Sequence, residues 1–153
     1  MAASADNEIR PARSSDLQAI RGIVDAAYAI YVPLMDKPPG PMLDDYAARI
    51  DAGEAYVFDS ATGILGVLVL IDQDGYLLLD NVAVGPQAQG KSVGRRLVAF
   101  AESEARRRGY DEIRLYTHVV MAENVGYYEN LGWEETGRGE QAGYQRIFMR
   151  KGL

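Results

Sequence analysis

Residues 82–95 read Val-Ala-Val-Gly-Pro-Gln-Ala-Gln-Gly-Lys-Ser-Val-Gly-Arg, and this segment constrains the fold more than any other. An apolar strand stops at Gly85, and Gly85, Gly90 and Gly94 keep the following turn nearly free of side chains. An amphipathic helix then begins. Residues 93–108 carry Val93, Leu97, Val98, Phe100, Ala101 and Ala105 on one face. A strand that turns on glycines into a helix aims unpaired backbone N–H groups, and the positive helix end, at one point. That point suits a phosphate.

The rest of the chain surrounds this junction with mixed elements. A first strand at 8–13 is interrupted by Pro11, and Ser15-Asp16-Leu17-Gln18 reads as a capping box. The helix it opens aligns Leu17, Ile20, Val24, Ala27, Tyr28 and Tyr31 in one stripe, and Pro33 stops it. Residues 32–41 hold four prolines and Gly40 and read as an irregular loop; 42–52 suits a second short helix with Gly53 as its stop. Strands are expected at 55–59, 64–71 and 76–84, then at 113–117, 133–137 and 144–150, with a helix at 122–131. Arg106, Arg107 and Arg108 form a solvated end to the long helix, closed by Gly109. The pattern is α/β in the α+β sense: an antiparallel front half followed by one strand–helix–strand unit.

Composition removes several functional classes. The 153 residues suit one domain, 1–153, with its own core. No cysteine is present and histidine occurs once, so disulfides, thiolate nucleophiles and multi-histidine metal sites are absent, and no metal is expected. A formal charge of −6 disfavours nucleic-acid binding, which needs a basic surface. Residues 1–7 are small and polar, unlike a secretory signal, and no apolar run reaches membrane-spanning length. A reducing cytoplasmic setting is the expectation.

Two chemistries use a glycine junction of this kind. Gly85 to Ser92 fits G-x-x-x-x-G-K-S, the triphosphate P-loop. Against it, the next strand ends Leu115-Tyr116-Thr117 with no carboxylate for magnesium, and Pro86 removes an amide from the start of the cradle. The alternative is coenzyme A. Gln89-Gly90-Lys91-Ser92-Val93-Gly94 aligns with Q/R-x-x-G-x-G/A, and residues 123–133, Glu-Asn-Val-Gly-Tyr-Tyr-Glu-Asn-Leu-Gly-Trp, with an N…Y-x-x-L-G-F/Y pattern. In these two motifs, their order and their spacing, nearly the whole chain resembles the GNAT acyltransferase superfamily. One departure stands out, because Ser92 replaces the first motif glycine. Serine is comfortable at a helix start, but it suits this place poorly if the backbone needs positive φ.

The resemblance implies a mixed, mostly antiparallel central sheet with splayed central strands and about four helices. It also implies acetyl transfer from acetyl-CoA to a primary amine, with a silent CoA-binding module as the alternative. Val82, Ala83 and Val84 would pair with the pantetheine arm, while Gln89, Gly90, Lys91, Ser92, Val93, Gly94 and Arg95 hold the pyrophosphate and Asn124 contacts the cofactor. Tyr128 falls at the general-acid position of the resembled family. Its neighbour Tyr127 points elsewhere on the helix and reads as core.

An alkylamine must lose a proton before it attacks, at a cost on the order of 4–5 kcal/mol at neutral pH. Asp80, Glu123 and His118 are the nearby bases. Asn81 stands at or near the position where the resembled family often has glutamate, which leaves the base open; Asp80 is favoured, with a hydrogen-bonded strand residue facing solvent as its alternative. His118, the lone histidine, reads as a local hydrogen-bonder. In the resembled family the acceptor is held by the loop between the first two helices and by the last strands; the loop and its flanks assign Tyr28, Tyr31, Met35 and Met42 to the substrate, a small-molecule or peptide amine. A homodimer is common among the proteins this chain resembles.

Overall fold

The protein is described from a computed structural model covering residues 7–90 and 92–153. Sequence alternation and helical periodicity give seven strands and four α-helices: β1 (Glu8–Pro11), α1 (Leu17–Tyr28), α2 (Tyr46–Asp51), β2 (Ala55–Ser60), β3 (Gly63–Asp72), β4 (Leu77–Val84), α3 (Val93–Arg107), β5 (Glu112–His118), α4 (Glu123–Asn130), β6 (Glu134–Gln141) and β7 (Tyr144–Gly152). The strand order is β1-β2-β3-β4-β5-β7-β6. Neighbours pair antiparallel in the β1–β2, β2–β3, β5–β7 and β6–β7 ladders, while β4 and β5 are parallel. That is the mixed, mostly antiparallel sheet the sequence implies. Among the described residues the β4–β5 register covers 77–79 against 113–115, although β4 continues to Val84 and β5 to His118.

Two compact units divide the chain. The first takes residues up to Leu70 and Asn81–Ala101; the second takes Ile71–Asp80 and Glu102–Leu153.

In the first unit, Ile20, Val24, Val57, Val67, Leu68 and Leu97 are almost completely buried. Helix α3 lies close on β3 because Gly66 has no side chain. A Cβ there would meet Leu97 Cδ1 at 2.8 Å and Val93 Cγ1 at 3.1 Å. This contact anchors the first turn of α3 beside the end of β4. Several expected details differ here. The start of α1 is not capped by Ser15 and Gln18; instead a 3-10 turn, Ser14–Asp16, precedes it, and the Asp16 carboxylate accepts from Arg13 N–H at 2.8 Å and from Arg10 Nη1 at 2.8 Å. A charged guanidinium and a backbone amide converge on one buried carboxylate, a stronger arrangement than a serine hydroxyl offers. The buried stripe of α1 is Ile20, Ile23 and Val24, while Tyr28 and Tyr31 are half-buried. Pro33 does not end α1, which stops at Tyr28 and continues as a 3-10 helix over Ala29–Leu34. A second 3-10 helix, Gly40–Leu43, with Pro41 in its first turn, replaces the expected irregular loop and the start of the expected second helix. Helix α2 then begins at Tyr46, where Asp45 accepts from Ala48 N–H at 3.1 Å.

In the second unit, Ile113, Leu115, Ile147 and Met149 alternate into one face of β5 and β7 and are buried. Glu102 of α3 is buried too, accepting from Trp133 Nε1 at 3.3 Å and from Lys151 Nζ at 2.9 Å. Lys151 also donates to Leu131 O at 2.7 Å, so one lysine joins β7 to α3 by an ion pair and to the end of α4 by a hydrogen bond. The arginine run ending α3 is more than a solvated tail, since Glu104 accepts from Arg107 at 2.6 Å and from Arg108 at 2.9 Å. Strand β6 runs to Gln141, longer than the expected 133–137, with a register shift between Glu135 and Gly137.

Candidate active site

In the first unit, β4 leads into the glycine junction. Val82 and Val84 are half-buried and Ala83 is buried. Gly85 N–H bonds to Leu65 O at 2.9 Å, a short 3-10 turn spans Pro86–Ala88, and Gln89 follows with an exposed side chain. Gly90 has φ 82° and Ser92 φ 65°, so the chain passes twice through the left-handed region before α3. Gly90 adopts it freely, whereas serine carries a Cβ that makes it unfavourable. The positive φ that would trouble a serine at this motif position is therefore present. Lys91, assigned to the pyrophosphate from the sequence, lies outside the described residues. Arg96 N–H reaches Ser92 O at 3.0 Å, the first bond of α3. The amides of Val93 and Gly94 lie ahead of it, in the turn where a helix offers no internal acceptor. Arg95, exposed in that turn, adds positive charge.

Asn81 lies on β4 just before this segment and is 3% exposed. Its Oδ1 accepts from Tyr28 Oη at 2.6 Å and its amide donates to Tyr46 Oη at 3.0 Å. An asparagine so engaged is a structural bridge and cannot take a proton from an amine. Tyr31 packs near Tyr28, with ring centroids 6.4 Å apart, while half-buried Met35 caps the 3-10 helix Ala29–Leu34 and half-buried Met42 lies within Gly40–Leu43. Of the four residues assigned to the acceptor, Tyr28 thus has a clear structural partner in Asn81.

In the second unit, Tyr128 is 7% exposed and its ring lies 5.8 Å from Trp133 and 5.2 Å from Tyr127. Burial raises its phenol above the ordinary value, with Tyr127 reinforcing the shift, so Tyr128 holds its proton. Tyr127 is 41% exposed, which corrects its assignment to the core: on a helix as short as α4, only one of two adjacent tyrosines can face inward. Asn124 Nδ2 reaches Thr117 Oγ1 at 3.4 Å. Asp80, on β4, accepts from the Tyr116 hydroxyl at 2.6 Å. His118 Nδ1 accepts from Val120 N–H at 3.1 Å, a local bond of the expected kind. Burial, and then the positive charge of Arg146, lower its pKa.

The profile of the acetyltransferase (GNAT) family matches residues 20–133, from α1 through both sequence motifs. The chain belongs to the GNAT acetyltransferase family. This GNAT chain is 32% identical over 72 residues to "IAA acetyltransferase" from Azospirillum brasilense, 47% of each chain. It is 34% identical over 65 residues to "N-alpha-acetyltransferase 80" from Mus musculus, 42% of this chain and 19% of that one. It therefore spans less than half the length of these curated relatives. Its fold is shared with the ribosomal-protein-S18-alanine N-acetyltransferase from Escherichia coli, at TM-score 0.75 and 21% identity over 95% of this chain and 93% of that one. PaiA N-acetyltransferase from Thermoplasma acidophilum, solved with coenzyme A, superposes at TM-score 0.78 and 16% identity, covering 97% and 99%.

Sequence reasoning missed two residues of the second unit, Tyr116 and Arg146. Both stand on strands that alternate polar or aromatic with apolar side chains, and Arg146 falls between Tyr144 and Phe148 on one face of β7. An arginine in an aromatic row is the signal that marks it.

Proposed function

We propose that this GNAT chain transfers an acetyl group from acetyl-CoA to a primary amine. The observation that carries the reading is the junction from β4 into α3. Amides of the first helical turn follow two left-handed residues, in a chain whose family is one of acetyltransferases. Backbone donors at a helix start, with no side chains crowding them, favour a diphosphate.

The proposal gives the first unit the grip on the cofactor. Amides of Gly90, Ser92, Val93 and Gly94 hold the pyrophosphate beside Gln89, whose own N–H reaches Pro86 O at 3.4 Å, with Lys91 and Arg95 adding charge, while Val82, Ala83 and Val84 offer backbone groups to the pantetheine arm. A strand N–H there also polarises the thioester carbonyl as negative charge develops on its oxygen. Asn124 contacts the cofactor, and Asp80 and Tyr128 supply the proton transfers. The neutral amine attacks the thioester carbon, the C–N bond forms and the C–S bond breaks. The proton shed by nitrogen passes to Asp80, directly or through water, and on to solvent. The CoA thiolate takes a proton from the Tyr128 phenol, which burial keeps protonated until then, and the phenolate regains one from solvent, closing the proton balance. Several relatives and fold neighbours bear N-terminal or ribosomal-protein acetyltransferase names, so protein N-termini belong in the acceptor panel beside small amines.

Two measurements test the reading in sequence. Coenzyme A or acetyl-CoA should raise the melting temperature without magnesium, and Mg-ATP should not. Thiol release from acetyl-CoA should then depend on an added amine. Stabilisation by Mg-ATP alone would reject the proposal, and CoA binding with no amine-dependent thiol release across a broad panel would reduce it to a silent binder.

A further inference from the structure

A guanidinium taken out of water needs an anion to replace its hydration. Most arginines here have one: Arg10 beside Asp16, Arg49 beside Asp44, Arg108 beside Glu104, Arg114 and Arg150 beside Glu112, Arg138 beside Glu135. Arg146 does not. It is 9% exposed, no carboxylate pairs with it among the described residues, and its Nε is buried with no hydrogen-bond partner. Its surroundings are aromatic, with Cζ 4.0 Å from the Tyr116 ring centroid and 4.8 Å from that of Tyr144. Ring faces attract the cation but accept no N–H bonds along its edge.

Tyr116 connects this cation to a carboxylate. Its hydroxyl donates to Asp80 at 2.6 Å, so Asp80 and Arg146 touch one tyrosine without pairing with each other. The β5–β7 register sets His118 opposite Arg146 and Tyr116 opposite Phe148, which puts these four side chains on one face. His118 brings no negative charge. Tyr116 and Phe148 also line an open cleft of 680 Å³ with Tyr76, Leu78 and Arg114. The cleft's own arginines, Arg114, Arg138 and Arg150, are already matched by glutamates.

We infer that Arg146 binds a carboxylate of the acyl acceptor, so the acceptor carries both an amine and a carboxylate, as a free amino acid does. The inference rests on the acetyl-transfer reading above. A planar guanidinium presents two parallel N–H donors that match a carboxylate's two oxygens, which a lysine would not do. Asp80, across Tyr116, offers the opposite charge to the ammonium before it sheds its proton. The cleft takes the acceptor's side chain.

The test compares amino acids with their carboxamides and decarboxylated amines as acceptors, scored by thiol release, for wild type, Arg146→Met and Arg146→Gln. Wild type should use at least one amino acid with kcat/KM no less than about 10-fold above its carboxamide. Both variants should raise the acceptor KM by roughly 10- to 100-fold and erase that preference, leaving the acetyl-CoA KM unchanged. The apo melting temperature of Arg146→Met should not fall, because methionine refills the space between two rings without an unpaired charge; if that variant fails to fold, Arg146→Gln decides. Equal use of acid and carboxamide by wild type, or a preference surviving in the variants, overturns the inference while leaving acetyl transfer standing. If acetyl-CoA does not bind, or no amine is acetylated, the transfer reading fails and the melting temperature decides for Arg146 separately. N-acetylamino acids should stabilise wild type, their carboxamides should not, and Arg146→Met should abolish the difference; stabilisation by neither or by both alike overturns the inference.

Discussion

The Tyr28 hydroxyl donates to Asn81 Oδ1 across 2.6 Å, and the Asn81 amide donates in turn to Tyr46 Oη, which bonds Pro41 O at 2.6 Å. One buried asparagine on β4 thereby ties α1, α2 and the proline-rich connection between them. Asn81→Ala removes an acceptor and a donor that two half-buried or buried phenols use, and should destabilise the fold by about 2–3 kcal/mol. Tyr28→Phe should cost only about 1 kcal/mol, because it deletes one partner and leaves the asparagine's other bond. Urea midpoints at constant slope read both values.

Ser92 pays for its position at φ 65° with backbone strain. Ser92→Gly should raise stability by up to about 1 kcal/mol, the left-handed penalty less the entropy lost by glycine. Ser92→Val places a β-branched residue at positive φ, an outlier that should lower the melting temperature and weaken CoA binding together. Thermal unfolding paired with a CoA titration of the three proteins checks the order Gly, Ser, Val.

Tyr128→Phe should reduce turnover by at least about 10-fold, in the range of general-acid contributions, with little change in acetyl-CoA affinity. The ring packing on Trp133 and Tyr127 survives the change, so stability should hold. Steady-state kinetics beside equilibrium binding separates the two effects, and undiminished turnover would remove the acid role.

Stability should fall on acidification in two stages. His118 has a folded-state pKa below the ordinary 6.5, so its contribution is whole above that value and is lost as pH falls through the folded pKa. The carboxylates act in the same direction lower down. The Arg10 guanidinium holds Asp16 below its ordinary range, and Arg107, with Arg108, brings Glu104 down to about 2. Their contributions are complete above the ordinary carboxylate values of 3.8 and 4.5, and disappear as pH drops toward the folded values. Urea midpoints across a pH series should show both stages, and His118→Gln should remove only the first.

The sequence exposed the fold most clearly where a single periodicity dominated. Leu97, Val98, Ala101 and Ala105 of α3, and the alternating β4, each admit one arrangement. Residues 29–45 are less readable because proline excludes a long helix but not a 3-10 turn, and Pro33 and Pro41 both lie inside 3-10 helices. The start of α1 is hidden from local spacing because the group that satisfies it, Asp16 with Arg10, depends on a strand partner. At the candidate site, the cradle and Tyr128 were legible as motif positions. Arg146 was not, because its meaning lies in what is missing around it: a carboxylate, which only the folded neighbourhood can show to be absent.

Amide hydrogen exchange across the β4–α3 junction, with and without saturating coenzyme A in magnesium-free buffer, tests the central claim most directly. The account predicts strong new protection at Gly90, Ser92, Val93, Gly94 and Arg95, with a smaller effect at Val82 and Val84. Coenzyme A that binds while these amides exchange as before, or protection that arises only with Mg-ATP, would contradict it.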